Sequence, residues 1–461
     1  MRSELGDAVG SIPQCLCSPT QRLFVRVAES SNVHRIKPHE IAQVLAPHHS
    51  GANQSHAQIR HTPSLRGDYL PSPQRLLVFS VIAPGGALLK GNLMAIVDLL
   101  TSGLGLLASE KDITPQWVEG VMRGSGSLED GVTVTSVSTE RIGEGVGILS
   151  ILQRVKPTYS GATKAPQSFV VKYPTDDVTQ RFTADALVLY IRELVFYRDC
   201  AQIAPFKTAK CYAQAIEGEN TNFTIAMEDI GHYRGLNQIE GVGLAESKIL
   251  LETLADYHAM WWNSPKLSGM QDVFQPLLNP TYEAVLPMLW AQGWPNVEQY
   301  AGHLLPESVR GIGDIWGGKV SWMLGNLMAP STLCHGDYRA DNIMFDGNDP
   351  AVIDFQLIGV GSGMYDVGYF ISQSIATDVR RGHDQELVNT YLDRLEKHGI
   401  TIDRDEMWRQ YLISICFCVT YGVTTFGGFA EQNERGQQLL QDMLLRALNC
   451  VADNDALKVI S

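Results

Sequence analysis

The spacing of apolar residues changes along the chain from a period of two to a period near 3.6. Residues 132–142 and 148–155 alternate loosely between apolar and polar side chains, and closely spaced glycines separate the two segments. Residues 168–174 and 223–227 are short apolar runs with β-branched and aromatic side chains. Both patterns are typical of β-strands. The sequence therefore predicts a β-rich region that includes a hairpin with a glycine-rich tip.

Helical spacing characterises most of the remaining chain. Residues 115–123 and 179–200 predict two helices within the β-rich region, and from residue 243 onward apolar side chains recur every three or four positions. Such a stripe is the buried face of a helix. We expect an α+β fold with a smaller β-rich part, residues 94–230, and a larger helical part, residues 231–461.

Two apolar stretches are long enough to raise the question of a membrane span. Residues 412–429 carry no charge, but three glycines and several hydroxyl side chains interrupt them, and residues 76–107 contain Pro84, Lys90 and Asp98. A membrane-spanning helix needs about 20 predominantly apolar residues. We expect no membrane span, and we interpret residues 412–429 as a buried core helix.

The first 93 residues differ in composition from the rest. They hold nine Lys and Arg against five Asp and Glu, together with six of the 12 His and eight of the 21 Pro. Their apolar residues keep neither a helical nor a strand period for long. We expect a mostly disordered extension, and a start at Met94 would leave a complete domain after an over-extended reading frame. A targeting arm is the alternative, which Glu4 and Asp7 weaken.

The formal net charge of -14 argues against nucleic acids and anionic membranes as partners. An acidic globular chain lacks the basic surface that nucleic acids and anionic membranes require. The eight cysteines are scattered, without a disulfide framework or the C-x-x-C spacing of zinc sites, which indicates reduced thiols. We therefore expect a small-molecule partner, no nucleic acid and a cytoplasmic location. The sequence leaves the oligomeric state open.

The strongest indication of function lies in the helical part. A short irregular segment there carries three side chains whose oxygen atoms can bind a metal ion or a hydroxyl group. Asp337 precedes Asn342 by five residues, and Asp354 follows a predicted hairpin of residues 343–345 and 351–353. The return of this hairpin brings Asp354 beside Asn342. Phosphoryl transfer needs a carboxylate that orients the attacking hydroxyl, and oxygen ligands for Mg²⁺. We assign the first role to Asp337 and the second to Asn342 and Asp354.

Neighbouring residues of this segment leave alternatives open. Asp341 could replace Asn342 as a ligand, although the five-residue spacing of kinase catalytic loops favours the asparagine. His335 is expected to hold the loop rather than to bind metal, because Mg²⁺ needs no imidazole. Asp366 could cap a helix or tie down the loop, and capping is the expected role. His258 is expected to be a packing residue.

A second group of candidate residues lies upstream in the β-rich part. Gly143, Gly145 and Gly147 at the hairpin tip would let backbone N–H groups approach phosphate oxygens. Lys172 ends an apolar strand and can reach the α- and β-phosphates, and Glu193 on the next helix can hold it through an ion pair. Taken singly, a solvent-facing lysine and a solvated glutamate are the alternatives. The order of glycine loop, strand lysine and helix glutamate favours a nucleotide site.

Residues 223–227 lead into a connector that we interpret as the hinge between the two parts. Backbone groups of Met227, Glu228 and Ile230 would face an adenine edge, and the Met227 side chain would cover the ring face. A plain core strand is the alternative interpretation of the same run.

Together these segments resemble the aminoglycoside phosphotransferase and choline kinase superfamily, and within it the ecdysteroid kinase-like group. Three motifs carry the resemblance: residues 333–345 with His-Gly-Asp, residues 352–356 with Ile-Asp-Phe, and residues 361–370. The matching order of elements covers about residues 113–447.

The resemblance implies a protein-kinase-like bilobal fold, with a small β-rich N-lobe, a hinge, and a larger helical C-lobe that carries the acceptor pocket. It implies ATP and Mg²⁺ as cofactors and a small-molecule hydroxyl as the acceptor. The roles that it implies are catalytic base for Asp337, Mg²⁺ ligands for Asn342 and Asp354, phosphate binding for Lys172 with its partner Glu193, and a phosphate loop of Gly143, Gly145 and Gly147. Phe355-Gln356 departs from the Phe-Gly of protein kinases, so their activation switch is not implied.

Three functions are compatible with this set of residues. The leading one is an ATP-dependent kinase that phosphorylates a hydroxyl of a small molecule. The alternatives are a nucleotide-binding regulatory protein without transfer activity, and hydrolysis of a phosphorylated compound by the same metal cluster. A binding-only protein needs no base, which favours transfer. The acceptor does not follow from the sequence, although the aromatic content leans toward a less polar alcohol.

Overall fold

The computed structural model describes residues 105–143, 149–217 and 222–460, together with three short strands among the first 104 residues. These strands are β1 (Phe24–Glu29), β2 (Asn32–His34) and β3 (Phe79–Ile82). They pair antiparallel in the order β2-β1-β3 and belong to a compact unit of their own. The rest of the first 93 residues, where we predict disorder, lies outside the described residues.

Five antiparallel strands form the sheet of the N-lobe. They are β4 (Val134–Ile142), β5 (Ser150–Tyr159), β6 (Phe169–Pro174), β7 (Cys211–Glu217) and β8 (Asn222–Glu228). Their order is β4-β5-β6-β8-β7, so β6 is the central strand, and all six of its residues are buried. The predicted hairpin is present as β4 and β5.

The tip of this hairpin is described only at its beginning. Gly143 has a φ of 71°, in the left-handed region that favours glycine, and it turns the chain out of β4. Gly145 and Gly147 of the predicted phosphate loop lie outside the described residues.

Three helices accompany the sheet: α1 (Pro115–Gly124), α2 (Val178–Ala186) and α3 (Leu189–Asp199). The prediction of one helix over residues 179–200 is wrong. The helix is interrupted before Leu189, where Val188 has a left-handed φ of 55°. Arg192 donates to the carbonyl oxygens of Val188 (3.1 Å) and Leu187 (2.8 Å). A buried guanidinium thus satisfies the carbonyls at the break, and no glycine or proline marks it in the sequence.

The C-lobe is helical. Its helices are α4 (Leu244–Trp261), α5 (Lys266–Met270), α6 (Pro280–Ala301), α7 (Ile312–Trp316), α8 (Val320–Asn326), α9 (Met364–Ser374), α10 (Thr377–Arg380), α11 (Asp384–Lys397), α12 (Arg404–Thr425), α13 (Glu434–Asp453) and α14 (Leu457–Ile460). Helix α12 lies at the centre of the lobe and packs against α6, α9 and α13. The two-lobed α+β architecture is the predicted one.

Helix α12 contains most of the apolar stretch for which we predict a core helix, and the last four residues of that stretch lie in the short 3-10 helix Phe426–Glu431. Among the described residues, the segment Arg404–Ala430 is the one helical segment long and apolar enough to cross a membrane by length and composition. Most of its apolar window is buried against the neighbouring helices. This burial agrees with the interpretation as a core helix.

Five short strands of the C-lobe surround the predicted catalytic segment. They are β9 (Arg234–Gly235), β10 (Thr332–Cys334), β11 (Ile343–Asp346), β12 (Asp349–Val352) and β13 (Gly359–Gly361). Strands β11 and β12 form the predicted hairpin, and β9 pairs with β11 directly after the connector from the N-lobe. The turn of the β11–β12 hairpin is shorter than predicted, because Asp346 and Asp349 are paired strand residues. Gly347, within this turn, has a φ of 63°.

We expect Gly293→Ala to destabilise the protein, because Gly293 lets α6 approach α12 closely. A Cβ at this position would lie 2.0 Å from the Val423 carbonyl oxygen. Forced overpacking of this kind costs roughly 1–3 kcal/mol or more of unfolding free energy. Chemical denaturation measures the loss.

The matched control is Gly120→Ala in α1, where a Cβ meets nothing within 4 Å. Alanine is a better helix former than glycine by about 1 kcal/mol, so this variant should be as stable as the wild type or more stable. Equal stability of Gly293→Ala and wild type would contradict the close approach of α6 and α12.

Candidate active site

The loop between β10 and β11 is held in place by one buried carboxylate. Asp366 accepts hydrogen bonds from the backbone N–H groups of His335 (2.6 Å) and Gly336 (2.9 Å). Gly336 has a φ of 87°, and a Cβ there would lie 2.1 Å from the Leu357 carbonyl oxygen, so only glycine fits. The predicted capping role of Asp366 is wrong, because α9 begins after Gly363 and the Asp366 side chain bonds the loop instead.

The anchoring carboxylate has further buried partners. His258 Nε2 lies 3.1 Å from Asp366, and His258 Nδ1 lies 2.8 Å from the Tyr391 hydroxyl. His258 is fully buried, as predicted for a packing residue, and it also belongs to a polar network. Cys334 lies next to His258 and Asp366, and the potential metal-binding atoms of these three side chains lie within 4.8 Å of one another. Because both Asp366 oxygens already accept backbone N–H groups, we interpret this group as the anchor of the loop.

His335 holds the loop from within, as predicted. Its Nδ1 accepts from the Asp337 backbone N–H (3.2 Å), which leaves the proton on Nε2, 3.1 Å from the Ile353 carbonyl oxygen. Burial lowers the pKa of His335, so the neutral ring that makes both bonds is favoured. The loop and the strand end before Asp354 are thereby joined.

Asp337 and Asn342 lie side by side. The Asn342 Nδ2 donates to the Asp337 carboxylate (2.8 Å) and to the Asp337 backbone carbonyl (2.9 Å), which turns its Oδ1 away from Asp337. Within the described residues this Oδ1 accepts no hydrogen bond. Asp341, the alternative ligand, accepts from Gln238 N (3.0 Å) and Arg339 Nη1 (2.9 Å). The asparagine oxygen, not the Asp341 carboxylate, is therefore available to a ligand.

Lys172 lies between two carboxylates, one from each lobe. Its Nζ is 2.7 Å from Glu193 Oε2 on α3 and 3.0 Å from Asp354 Oδ1, which follows β12. The Lys172–Glu193 ion pair is the predicted one, whereas the contact with Asp354 was not predicted. Burial by itself would lower the pKa of Lys172, but the two carboxylates more than reverse this effect and raise it. Lys172 therefore stays charged.

Asp354 points at Lys172 because its backbone is held in an unusual conformation. Its φ is 66°, a left-handed value that a non-glycine residue adopts only when its surroundings impose it. The next side chain, Phe355, stacks on Phe196 of α3 at 3.4 Å between ring centroids and lies 4.8 Å from the His335 ring. Gln356 then donates to Ser150 Oγ at the start of β5 (3.0 Å). The contacts of Phe355 with Phe196 and of Gln356 with Ser150 cross from the C-lobe to the N-lobe.

The hinge residues lie at the end of β8, where the chain leaves the N-lobe. Met227 and Ile230 are buried, and the connector continues to β9. The Glu228 backbone N–H already donates to the Lys210 carbonyl (2.8 Å), and its carboxylate accepts from Lys210 N (3.2 Å). A connector between the lobes follows β8 at the predicted place. The Glu228 N–H, however, is already bonded within the protein and is not free for a nucleotide base.

The structure thus brings five predicted residues together where the two lobes meet: Lys172, Glu193, Asp337, Asn342 and Asp354. Sequence reasoning missed Arg339 and the stacked ring of Phe196, and for Asp366 it preferred helix capping to the loop-anchoring alternative that the structure shows. The position of Arg339 two residues after Asp337 was a visible signal, because a cation so close to a predicted base is expected to contact it. Phe196 carried no local signal, because its partner Phe355 lies far away in the sequence.

Three relatives illustrate the similarity to known proteins. A kinase-like protein of Caenorhabditis elegans is 24% identical over 230 residues, which are 46% of this chain and 58% of that protein, so the chain spans less than two thirds of this curated relative. A choline kinase structure from Cryptosporidium parvum is 10% identical, with a TM-score of 0.44 and coverage of 75% and 94% of the two chains. An ethanolamine kinase structure from Plasmodium vivax is 17% identical, with a TM-score of 0.41 and coverage of 77% and 93%.

A family model gives the wider match. The model of the ecdysteroid kinase-like family matches residues 144–284 and 263–403. Together the two matches cover residues 144–403, more than half of the 461 residues, and they include all five of the residues that meet between the lobes. The chain belongs to the ecdysteroid kinase-like family.

Proposed function

We propose that the protein is an ATP-dependent kinase that transfers the γ-phosphoryl group to a hydroxyl of a small molecule. The observation that carries this proposal is the continuous set of contacts from Glu193 through Lys172 to Asp354, next to Asp337 and Asn342. A nucleotide-binding protein without transfer activity has no use for a carboxylate base at the end of this set. A cytoplasmic location stays a prediction.

The residues present fit a Mg²⁺ ion. Asp354 keeps 36% of its side chain exposed, and its Oδ1 is the oxygen that bonds Lys172. Asn342 offers an amide oxygen without a hydrogen-bond donor in the described part of the chain. A carboxylate and an amide oxygen are ligands that Mg²⁺ accepts together with phosphate oxygens. Bound there, the ion would neutralise charge on the phosphates.

The chain's own residues would position the reactants. Asp337 would accept a hydrogen bond from the acceptor hydroxyl and take its proton as the new oxygen–phosphorus bond forms. The Asn342 amide fixes the Asp337 carboxylate, and the anchored backbone of His335 and Gly336 fixes the loop. Lys172 would bind the nucleotide phosphates and is held toward them by Glu193.

Asp337→Asn should lower turnover by about 10² or more, because the loss of a positioned base removes general base catalysis of that size. The measurement is ADP formation from Mg·ATP, with a panel of hydroxylated metabolites, sterols, aminoglycosides and choline as acceptors. Asp256→Asn is the matched control, since Asp256 pairs with Arg394 and His398 rather than with the loop. Equal ADP formation by wild type and Asp337→Asn would refute the proposed role of Asp337. A nucleotide-dependent rise in melting temperature without turnover on any acceptor would favour the binding-only alternative.

Lys172→Met should weaken Mg·ATP binding by roughly 10-fold or more, the size expected when a charge-assisted hydrogen bond is lost. Isothermal titration calorimetry measures the affinity, and the melting temperature without nucleotide shows whether the variant folds. Lys207→Met is the control, because Lys207 also bridges two carboxylates, Asp346 and Asp349, on the β11–β12 turn. Wild-type affinity of Lys172→Met would exclude Lys172 from the phosphate site.

A further inference from the structure

Arg339 places a partly buried cation at the predicted base. Its Nε lies 3.2 Å from Asp337 Oδ1 and 3.3 Å from Oδ2, and 13% of its side chain is exposed. A tight turn brings the two side chains together, since the Arg339 backbone N–H donates to the Asp337 carbonyl (2.9 Å). Arg339 also begins the short helical turn Ala340–Asn342 that ends in a predicted metal ligand.

Only part of the guanidinium is used by the protein. A guanidinium has five N–H donors. The Nε–H bonds Asp337, and one Nη1–H bonds Asp341 at 2.9 Å. The Nη2 group donates to none of the described residues, and it is not among the buried polar atoms that lack a partner. It therefore keeps contact with solvent, beside the predicted base.

The charges around Arg339 keep it protonated. Burial by itself would lower the pKa of Arg339, but Asp337 first, and then Tyr369, Asp341 and Asp354, raise it above its usual value. Asp354 acts on both Arg339 and Lys172, which places two cations near the same carboxylate. These two cations enter from different sides, one from the loop and one from the central strand β6.

A purely structural role of Arg339 does not explain why its charge lies beside Asp337. Asp337 is already held by Asn342 and by the anchored loop, so an additional cation is not needed to fix its position. The cation gains a purpose if additional negative charge arrives at this place during the reaction.

We propose that Arg339 is a further catalytic residue, which binds a non-bridging oxygen of the transferring phosphoryl group through its Nη2. The proposal rests on the proposed kinase function. In the transfer, the acceptor oxygen forms a bond to the γ-phosphorus and its proton passes to Asp337. The bond from the γ-phosphorus to the bridging oxygen breaks, and ADP leaves with the electron pair. A planar, always charged guanidinium suits an oxygen of the phosphoryl group throughout this step.

The kinetic test compares Arg339→Gln, Arg339→Lys and Arg339→Ala. Arg339→Gln should lower kcat by roughly 10²–10³, as the loss of one transition-state donor does, with unchanged affinity for Mg·ATP. Arg339→Lys should retain part of the activity. Guanidinium ions in solution should partly restore Arg339→Ala, an effect that a merely structural role would not show.

Asp341→Asn is the control for the structural role, because it removes the other carboxylate partner of Arg339. We expect it to lower kcat far less than Arg339→Gln does. An equal loss in both variants, without rescue by guanidinium, would overturn the proposal and leave Arg339 as a positioning residue.

A second measurement needs no acceptor. Mg·ADP with aluminium fluoride imitates the transferring phosphoryl group, so it should raise the melting temperature of the wild type more than Mg·ADP alone. Arg339→Gln should show the Mg·ADP shift but no additional shift with aluminium fluoride. An undiminished additional shift in Arg339→Gln would overturn the role of Arg339 while leaving the kinase function intact. A wild type without any additional shift and without ADP formation would reject both.

Discussion

The buried ion pairs of Lys172 are the interaction on which the rest of the site depends. Removing a charged amine from water costs several kcal/mol, and it is tolerated only where carboxylates surround the amine closely. Glu193 and Asp354 fulfil this condition from two lobes that are separate in sequence. Any movement that separates the lobes at this point would leave a charge buried without its partner. The position of Lys172 is thus coupled to that of Asp354.

Each partner of Lys172 is fixed by packing outside the site. The helix of Glu193 starts at a break that Arg192 stabilises, and Arg192 reaches on to Ile358 and Gln275 in the C-lobe. Asp354 takes its left-handed conformation next to Phe355, whose ring is stacked on that same helix. The ring contacts of Phe355 with Phe196 and Tyr197, together with the Arg192 guanidinium, therefore hold the two carboxylate partners of Lys172 in position.

The catalytic loop is supported from the opposite side, by the helical core. Asp366 on α9 accepts the loop's backbone N–H groups, and Gln238 accepts the N–H of Ala340 while its own amide donates to Gln373. Both supports lie in the helical lobe, so the loop is fixed by partners that lie far from it in the sequence.

Short-range patterns in the sequence determined much of the architecture and most of the site. The strands of the sheet, the β11–β12 hairpin and the core helix α12 follow from periodicity and turn residues, because these depend on neighbours a few positions away. The hairpin alone places Asp354 beside Asn342, and the order of strand and helix alone suggests the pairing of Lys172 with Glu193. Tertiary structure decided the break at Val188, the loop-anchoring role of Asp366, the contact between Lys172 and Asp354, and the occupied N–H of Glu228. Each of these depends on a partner far away in the chain, and burial, which no local pattern records, determines which polar groups must find one another.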